Sequence, residues 1–248
     1  MSSTATVPPP QPERLSEVGR VVDTFVAPKK TFTDLRRSAN WLVPFLLLVI
    51  ATEALVLVAD KKLGFEKIAE NGLALQPKAA ARLDQLSAED RARQMQTVVK
   101  VTAISSYLLP AIILIFLLIF AAVLLATFNF GLGAELTFNQ ALAVCVYASL
   151  PGIIKSLLAI VVLMVGGGES LTFQNPVASN LSGLVDPSSH FLYSIAMQVD
   201  VFTIWTLVLS GIGFACLTKL KTNNCFAVVF GWWAAWLLAT SGIGAALS

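Results

Sequence analysis

Apolar and polar stretches alternate along the chain, and the lengths of the apolar runs set the first expectations. Five runs, at about 41–60, 104–128, 139–166, 191–218 and 224–246, each reach the roughly 20 mainly apolar residues that a bilayer crossing needs. Connection 61–100 is polar and charged. Within it LSAEDRARQMQTVVKV fits a helix that runs into the second apolar segment, with Ser87 as its cap and Asp90 three residues later. Connection 167–190 opens in a glycine run and holds Pro176 and Pro187, which predicts an irregular loop. Its Asn180-Leu181-Ser182 triplet has the spacing of a glycosylation acceptor, a pattern common by chance.

Ahead of the first apolar run the pattern changes twice. Residues 1–12 contain PPPQP among small polar residues and are expected to be a disordered tail. In residues 13–39, Leu15, Val18, Val22 and Phe25 recur at helical spacing. Pro28 should end that helix, and Thr31 to Asp34 fits the cap of a second one. Lys29, Lys30, Arg36 and Arg37 flank this second element. Together these features predict amphipathic helices lying on the membrane surface, apolar face down and basic groups near lipid phosphates. The expected fold is therefore an all-α polytopic membrane protein. It has a tail (1–12), amphipathic surface helices (13–39) and a five-helix transmembrane bundle (40–248).

Composition agrees with a membrane protein. Hydrophobic residues make up 56% of the 248 and charged residues 13%, against about 25% charged in soluble domains. The net charge of +2, with no basic run, gives no reason to expect nucleic acid as a partner. Cys145, Cys216 and Cys225 lie in or beside apolar runs and form no C-x-x-C, so they read as small buried hydrophobes. A single histidine, His190, excludes two-histidine metal motifs. No nucleophile elbow, phosphate loop or dinucleotide fingerprint is present, so neither catalysis nor a cofactor is expected. The start of the chain lacks the basic-then-apolar layout of a cleavable leader, and the run from Trp41 is expected to serve as an uncleaved anchor.

The candidate chemistry lies inside the apolar runs. YASLPGIIKSLLAIVVLM, Tyr147 to Met164, carries Lys155 in its middle. Lys155 stands 11 residues before Gly166, Asp200 nine after Phe191 and Glu53 seven before Asp60. At 1.5 Å per residue these depths are about 16, 14 and 10 Å. A charge at mid-membrane costs about 2.5–3.5 kcal/mol, so Lys155 is expected to pair with Asp200, with Glu53 either joining them or protonated. Two readings of this cluster stand open: a bridge fixing helix register, or a polar cavity for a proton, ion or small solute. Pro151 frees the carbonyl of Tyr147, and Gly152 removes bulk beside Lys155, which predicts a kink there. Gly231, Ala235 and Ala239 recur every four residues, and Gly211 and Ala215 share the spacing. Such stripes serve bundle packing or a homo-oligomer face.

Orientation is not set by charge. Six Lys/Arg in the N-terminal segment plus Lys219 and Lys221 make eight on one side, and connection 61–100 carries eight on the other.

Four stretches in order, FVAPKKTF (Phe25 to Phe32), WLVPFLLL (Trp41 to Leu48), VYASLPGIIKSLL (Val146 to Leu158) and DVFTIW (Asp200 to Trp205), resemble the Yip1 domain family in its bacterial form. The resemblance spans about residues 18–245. It implies a five-helix membrane domain with a cytoplasmic N-terminus, in a bacterial cytoplasmic membrane, acting as a non-catalytic scaffold or adaptor. The alternative is a small transporter or channel component built on Glu53, Lys155 and Asp200. The partners implied are the lipid bilayer, an unidentified protein and a second copy. Eukaryotic members are associated with Rab-type GTPases and carry a D-L-Y-G-P type motif near the first span. This chain lacks that motif, so GTPase binding is not expected of it.

Overall fold

A computed structural model describes residues 15–186 and 189–247. The tail predicted at 1–12 lies outside the described residues. Two short helices, α1 (Glu17–Val26) and α2 (Pro28–Asp34), precede α3 (Leu42–Lys62). The polar connection folds as α4 (Gly64–Ala74), α5 (Pro77–Asp84) and α6 (Ala88–Tyr107). Then follow α7 (Leu109–Ala126), α8 (Phe138–Ala148), α9 (Pro151–Met164), α10 (His190–Gln198), α11 (Val201–Leu217) and α12 (Thr222–Leu247).

Local signals explain most of the boundaries. The Ser16 side chain accepts from Gly19 N and starts α1. Pro28 stands at the first position of α2, where its missing N–H costs nothing. Ser87 caps α6 through Asp90 N, as its spacing predicts. Thr137 and Gln140 form a reciprocal capping box at the start of α8. Between α7 and α8 the chain widens into a π turn, Thr127–Gly131.

Among the described residues, four helical stretches are long and apolar enough to cross a membrane: Leu42–Lys62, Leu109–Gly131, Phe138–Met164 and Thr222–Gly244. The expected span at 191–218 is not one helix. It divides into α10 and α11 at Val199-Asp200, because the Asp200 side chain caps a new helix through Phe202 N and Thr203 N. The span expected at 104–128 has its helix boundary at Leu108, ahead of Pro110. The span expected at 139–166 breaks at Ser149-Leu150, and Leu150 N donates to the Tyr147 carbonyl that Pro151 leaves free (3.2 Å).

The main core is built around α8, which is buried over Ala141–Ala148. Phe128 and Phe214 stack at 4.6 Å within it. α11 packs between α8 and α12. Gly213 makes room for this, since a Cβ there would lie 2.5 Å from Val144 Cγ1 and 3.0 Å from the Phe32 ring. A smaller cluster joins Leu55 and Ala59 of α3 to Ala159 and Leu163 of α9 and to Leu171 of the following loop. The bundle end carrying α1, α2 and the α11–α12 turn is its N-terminal side; α4–α6 and the loop after α9 lie on the far side.

The single apolar face expected of the first N-terminal helix divides in two. Phe25 turns inward, 5.7 Å from Trp205 on α11, while Val18, Val22 and Val26 are exposed. Thr31 is no cap; it and Asp34 are buried within the second helix, which begins at Pro28.

Candidate functional site

Lys155 and Asp200 stand at matching heights. Lys155 lies 17 residues beyond the start of α8 and Asp200 17 residues before the end of α11, which places both about 26 Å from the N-terminal side. Their side chains meet: Lys155 Nζ lies 3.2 Å from Asp200 Oδ2. The lysine side chain is 19% exposed and the aspartate 2%.

Asp200 is saturated. Its Oδ1 accepts from Phe202 N (2.9 Å) and Thr203 N (3.2 Å), and its Oδ2 accepts from the Ser179 hydroxyl as well as facing Lys155. The positive end of α11 adds to this field. The loop after α9 supplies Ser179, whose carbonyl also accepts from Val201 N (3.1 Å). Asn180 pairs with Asp200 along the backbone. The Asn180 side chain accepts from Ser182 N and donates to Asn175 Oδ1. Backbone freed by the α10–α11 break is thus met by protein, the condition for irregular chain at membrane depth. On the other flank, Gln198 donates to Ser241 (3.1 Å), and Ser241 to Ser194 (3.1 Å), tying α10 to α12.

Glu53 does not join the pair. α3 meets α9 through Leu48, whose Cδ2 would lie 3.9 Å from a Cβ on Gly152, and through Leu55 and Ala59. Glu53 is five residues past Leu48, about 140° round the helix from that contact. It forms no ion pair within 4 Å, and its Oε1 is buried without a hydrogen-bond partner among the described residues.

The small residues divide. Gly211 lies under the Phe226 ring of α12, 3.0 Å from where its Cβ would stand, and Ala215 packs on the main core. Gly231, Ala235 and Ala239 face outward.

A second charged network lies on the N-terminal side. Arg20, 3% exposed, reaches Asp34 Oδ2 with both Nε (2.8 Å) and Nη2 (2.7 Å), and Glu17 Oε1 with Nη1 (3.3 Å). Tyr147 of α8 donates to Glu17 Oε2 (3.1 Å), and Asn40 donates to Glu17 Oε1 (3.1 Å). Thr24 and Thr31 both donate to the Arg20 carbonyl. Burial disfavours the cation, but the hydrogen bond and charge of Asp34, then the charge of Glu17, outweigh it and raise the Arg20 pKa. The sequence carries a signal for this clamp: Arg20 and Thr24 are one helical turn apart on the face opposite the valines.

Among the described residues, no cluster of histidine, cysteine or carboxylate side chains could hold a metal ion. The arrangement can neutralise charge, fix helix rotation and hold irregular backbone in place. The Yip1 domain model matches residues 22–243. No curated protein and no solved structure matches the chain.

Proposed function

The chain belongs to the Yip1 domain family, and from that premise we propose that it works as a non-catalytic membrane scaffold or adaptor. It sits in a bacterial cytoplasmic membrane with its N-terminus in the cytoplasm, and α10 with α11 forms a broken fifth span. The observation that carries this reading is the saturation of Asp200. Its carboxylate faces two backbone N–H groups, a hydroxyl and an ammonium. With its acceptor positions taken by these four partners, the carboxylate leaves no open position for a solute or ion to occupy. The spans then form a frame, and the frame carries the N-terminal helices through the Arg20 clamp. The orientation follows from the family resemblance.

Reconstitution tests the choice between frame and conduit. Proteoliposomes should dissipate a proton or potassium gradient no faster than empty vesicles, and Asp200→Asn should leave that leak unchanged. A flux above background that Asp200→Asn abolishes would replace the scaffold by the transporter reading. For the adaptor role, partners cross-linked in intact cells should be retained by Lys155→Met and lost on Arg20→Ala.

A further inference from the structure

α1 is built inside out. Its inward face carries Arg20 and Thr24, both buried, while Val18, Val22 and Val26 are 73%, 52% and 73% exposed. A helix on a water-facing surface does the reverse, burying its apolar stripe and exposing its charges. Exposed apolar stripes occur elsewhere in this chain on the spanning helices, as at Leu46, Ile50 and Leu57 of α3.

The position of the α1–α2 hairpin gives the stripe a comparable surrounding. The hairpin lies along the side of α11. Phe25 meets Trp205 at one end, Phe32 meets Gly213 between, and Arg36 Nε donates to the Cys216 carbonyl (2.8 Å) at the other. Trp205 to Cys216 is 11 residues, about 17 Å of helix, more than half of a hydrocarbon core of about 30 Å. α11 itself lies between α8, part of a spanning stretch, and α12, which spans. The outer face of the hairpin therefore stands beside the bundle, at the depth of a leaflet.

Charge selects which lipid. A groove of about 910 Å³ between α1 and α2 is lined by Val18, Val22, Lys29 and Lys30 and also by two carboxylates, Asp23 and Asp34, of which Asp34 is held by Arg20. Lys30 pairs with Asp23 at 2.9 Å yet stays 61% exposed. Lys29, and Lys219 and Lys221 just beyond α11, form no ion pair within 4 Å among the described residues. Apolar groups next to Lys29, which no carboxylate among the described residues neutralises, and the exposed Lys30 match an acyl chain joined to an anionic headgroup, with the long basic side chains reaching the phosphate level.

We propose that the α1–α2 hairpin is a half-immersed lipid-binding element: Val18, Val22 and Val26 contact acyl chains, and Lys29, with Lys30 beside it, holds the headgroup of an anionic phospholipid of the same leaflet. This differs from a helix resting on the headgroups, because the Arg20 clamp fixes both its depth and its rotation. The reading is independent of the scaffold role and holds for a transporter equally.

The test uses the full chain in nanodiscs of equal phosphatidylcholine and phosphatidylglycerol. Nitroxides placed by Val18→Cys, Val22→Cys and Val26→Cys, with the parent protein correcting for Cys216, are compared for collision with oxygen and with an aqueous nickel chelate. All three should favour oxygen, and a label at Lys30→Cys should favour nickel. In the same discs phosphatidylglycerol should be enriched around the protein over phosphatidylcholine. Lys29→Ala should reduce that enrichment about fivefold, and adding Lys30→Ala should reduce it further. Both are exposed residues whose loss leaves the fold intact, which the unfolding temperature checks. Valine labels that favour nickel would mean that the stripe faces water or awaits a protein partner, and would overturn the proposal. Enrichment unmoved by the lysine changes would overturn it as well.

Discussion

Arg20 and Lys155 are both drawn into the fold and both face a buried aspartate, but they do different work. Arg20 is the hub of its network: Asp34 and Glu17 both depend on it, and Tyr147 and Asn40 reach it through Glu17. At the other site the hub is the acid. Asp200 keeps a hydroxyl and two N–H donors without Lys155, whereas Lys155 has no second ion-pair partner within 4 Å among the described residues. The lesson concerns which residue can be lost. Removing a hub strands buried charge, and removing a spoke leaves the others satisfied.

This contrast ranks the effects of substitutions, read as unfolding free energy in detergent or in lipid. The largest is Arg20→Ala. It strands Asp34 beside Glu17 and should cost about 3–5 kcal/mol, with the hairpin becoming protease-sensitive before the spans. Arg20→Met with Asp34→Leu should recover most of that loss, since an apolar pair of similar volume removes both charges. A cost below about 1 kcal/mol for Arg20→Ala would show that the clamp is no hub.

Next is Asp200→Ala. It removes a helix cap, about 1 kcal/mol, and strands Lys155. The partial exposure of the lysine should hold the total below that of Arg20→Ala. Hydrogen exchange should speed up first at Val201–Thr203. Lys155→Met should cost less again, about 1–2 kcal/mol, because Asp200 keeps three donors; a cost equal to that of Asp200→Ala would break the comparison. Tyr147→Phe is the smallest change, at about 1 kcal/mol, since Glu17 retains Arg20 and Asn40. None of the Arg20 effects should depend on pH in the neutral range. The raised arginine pKa means that its contribution is fully present below the ordinary arginine value and is lost only as pH climbs through the folded one.

How much of this was legible in the sequence follows from what each signal measures. Run length located the apolar helices, because hydropathy over about 20 residues reports burial in lipid directly. Depth counting brought Lys155 and Asp200 to one height, because helical rise is fixed. Depth says nothing about rotation, so it leaves open whether Glu53 joins them, and in the fold Glu53 lies about 140° round α3 from the α9 contact. The division of α10 from α11 escaped hydropathy because both halves are apolar; the clue was local, an aspartate in capping position before Val201-Phe202-Thr203. The Arg20 clamp escaped because the valine stripe was expected on the membrane, and the stripe's periodicity does not tell what the opposite, polar face packs against. Periodicity gives a stripe but not the direction it faces, and a membrane reverses the direction that water would impose.

The most direct test of the account is a double-mutant cycle between Lys155 and Asp200, measured as unfolding free energy of Lys155→Met, Asp200→Ala and the double variant in one bilayer composition. A bridge predicts that the double variant loses clearly less than the sum of the singles, with a coupling of about 1–2 kcal/mol. Losses that add to within about 0.5 kcal/mol would mean that the two side chains do not hold each other, and the structural reading of the intramembrane pair would be wrong.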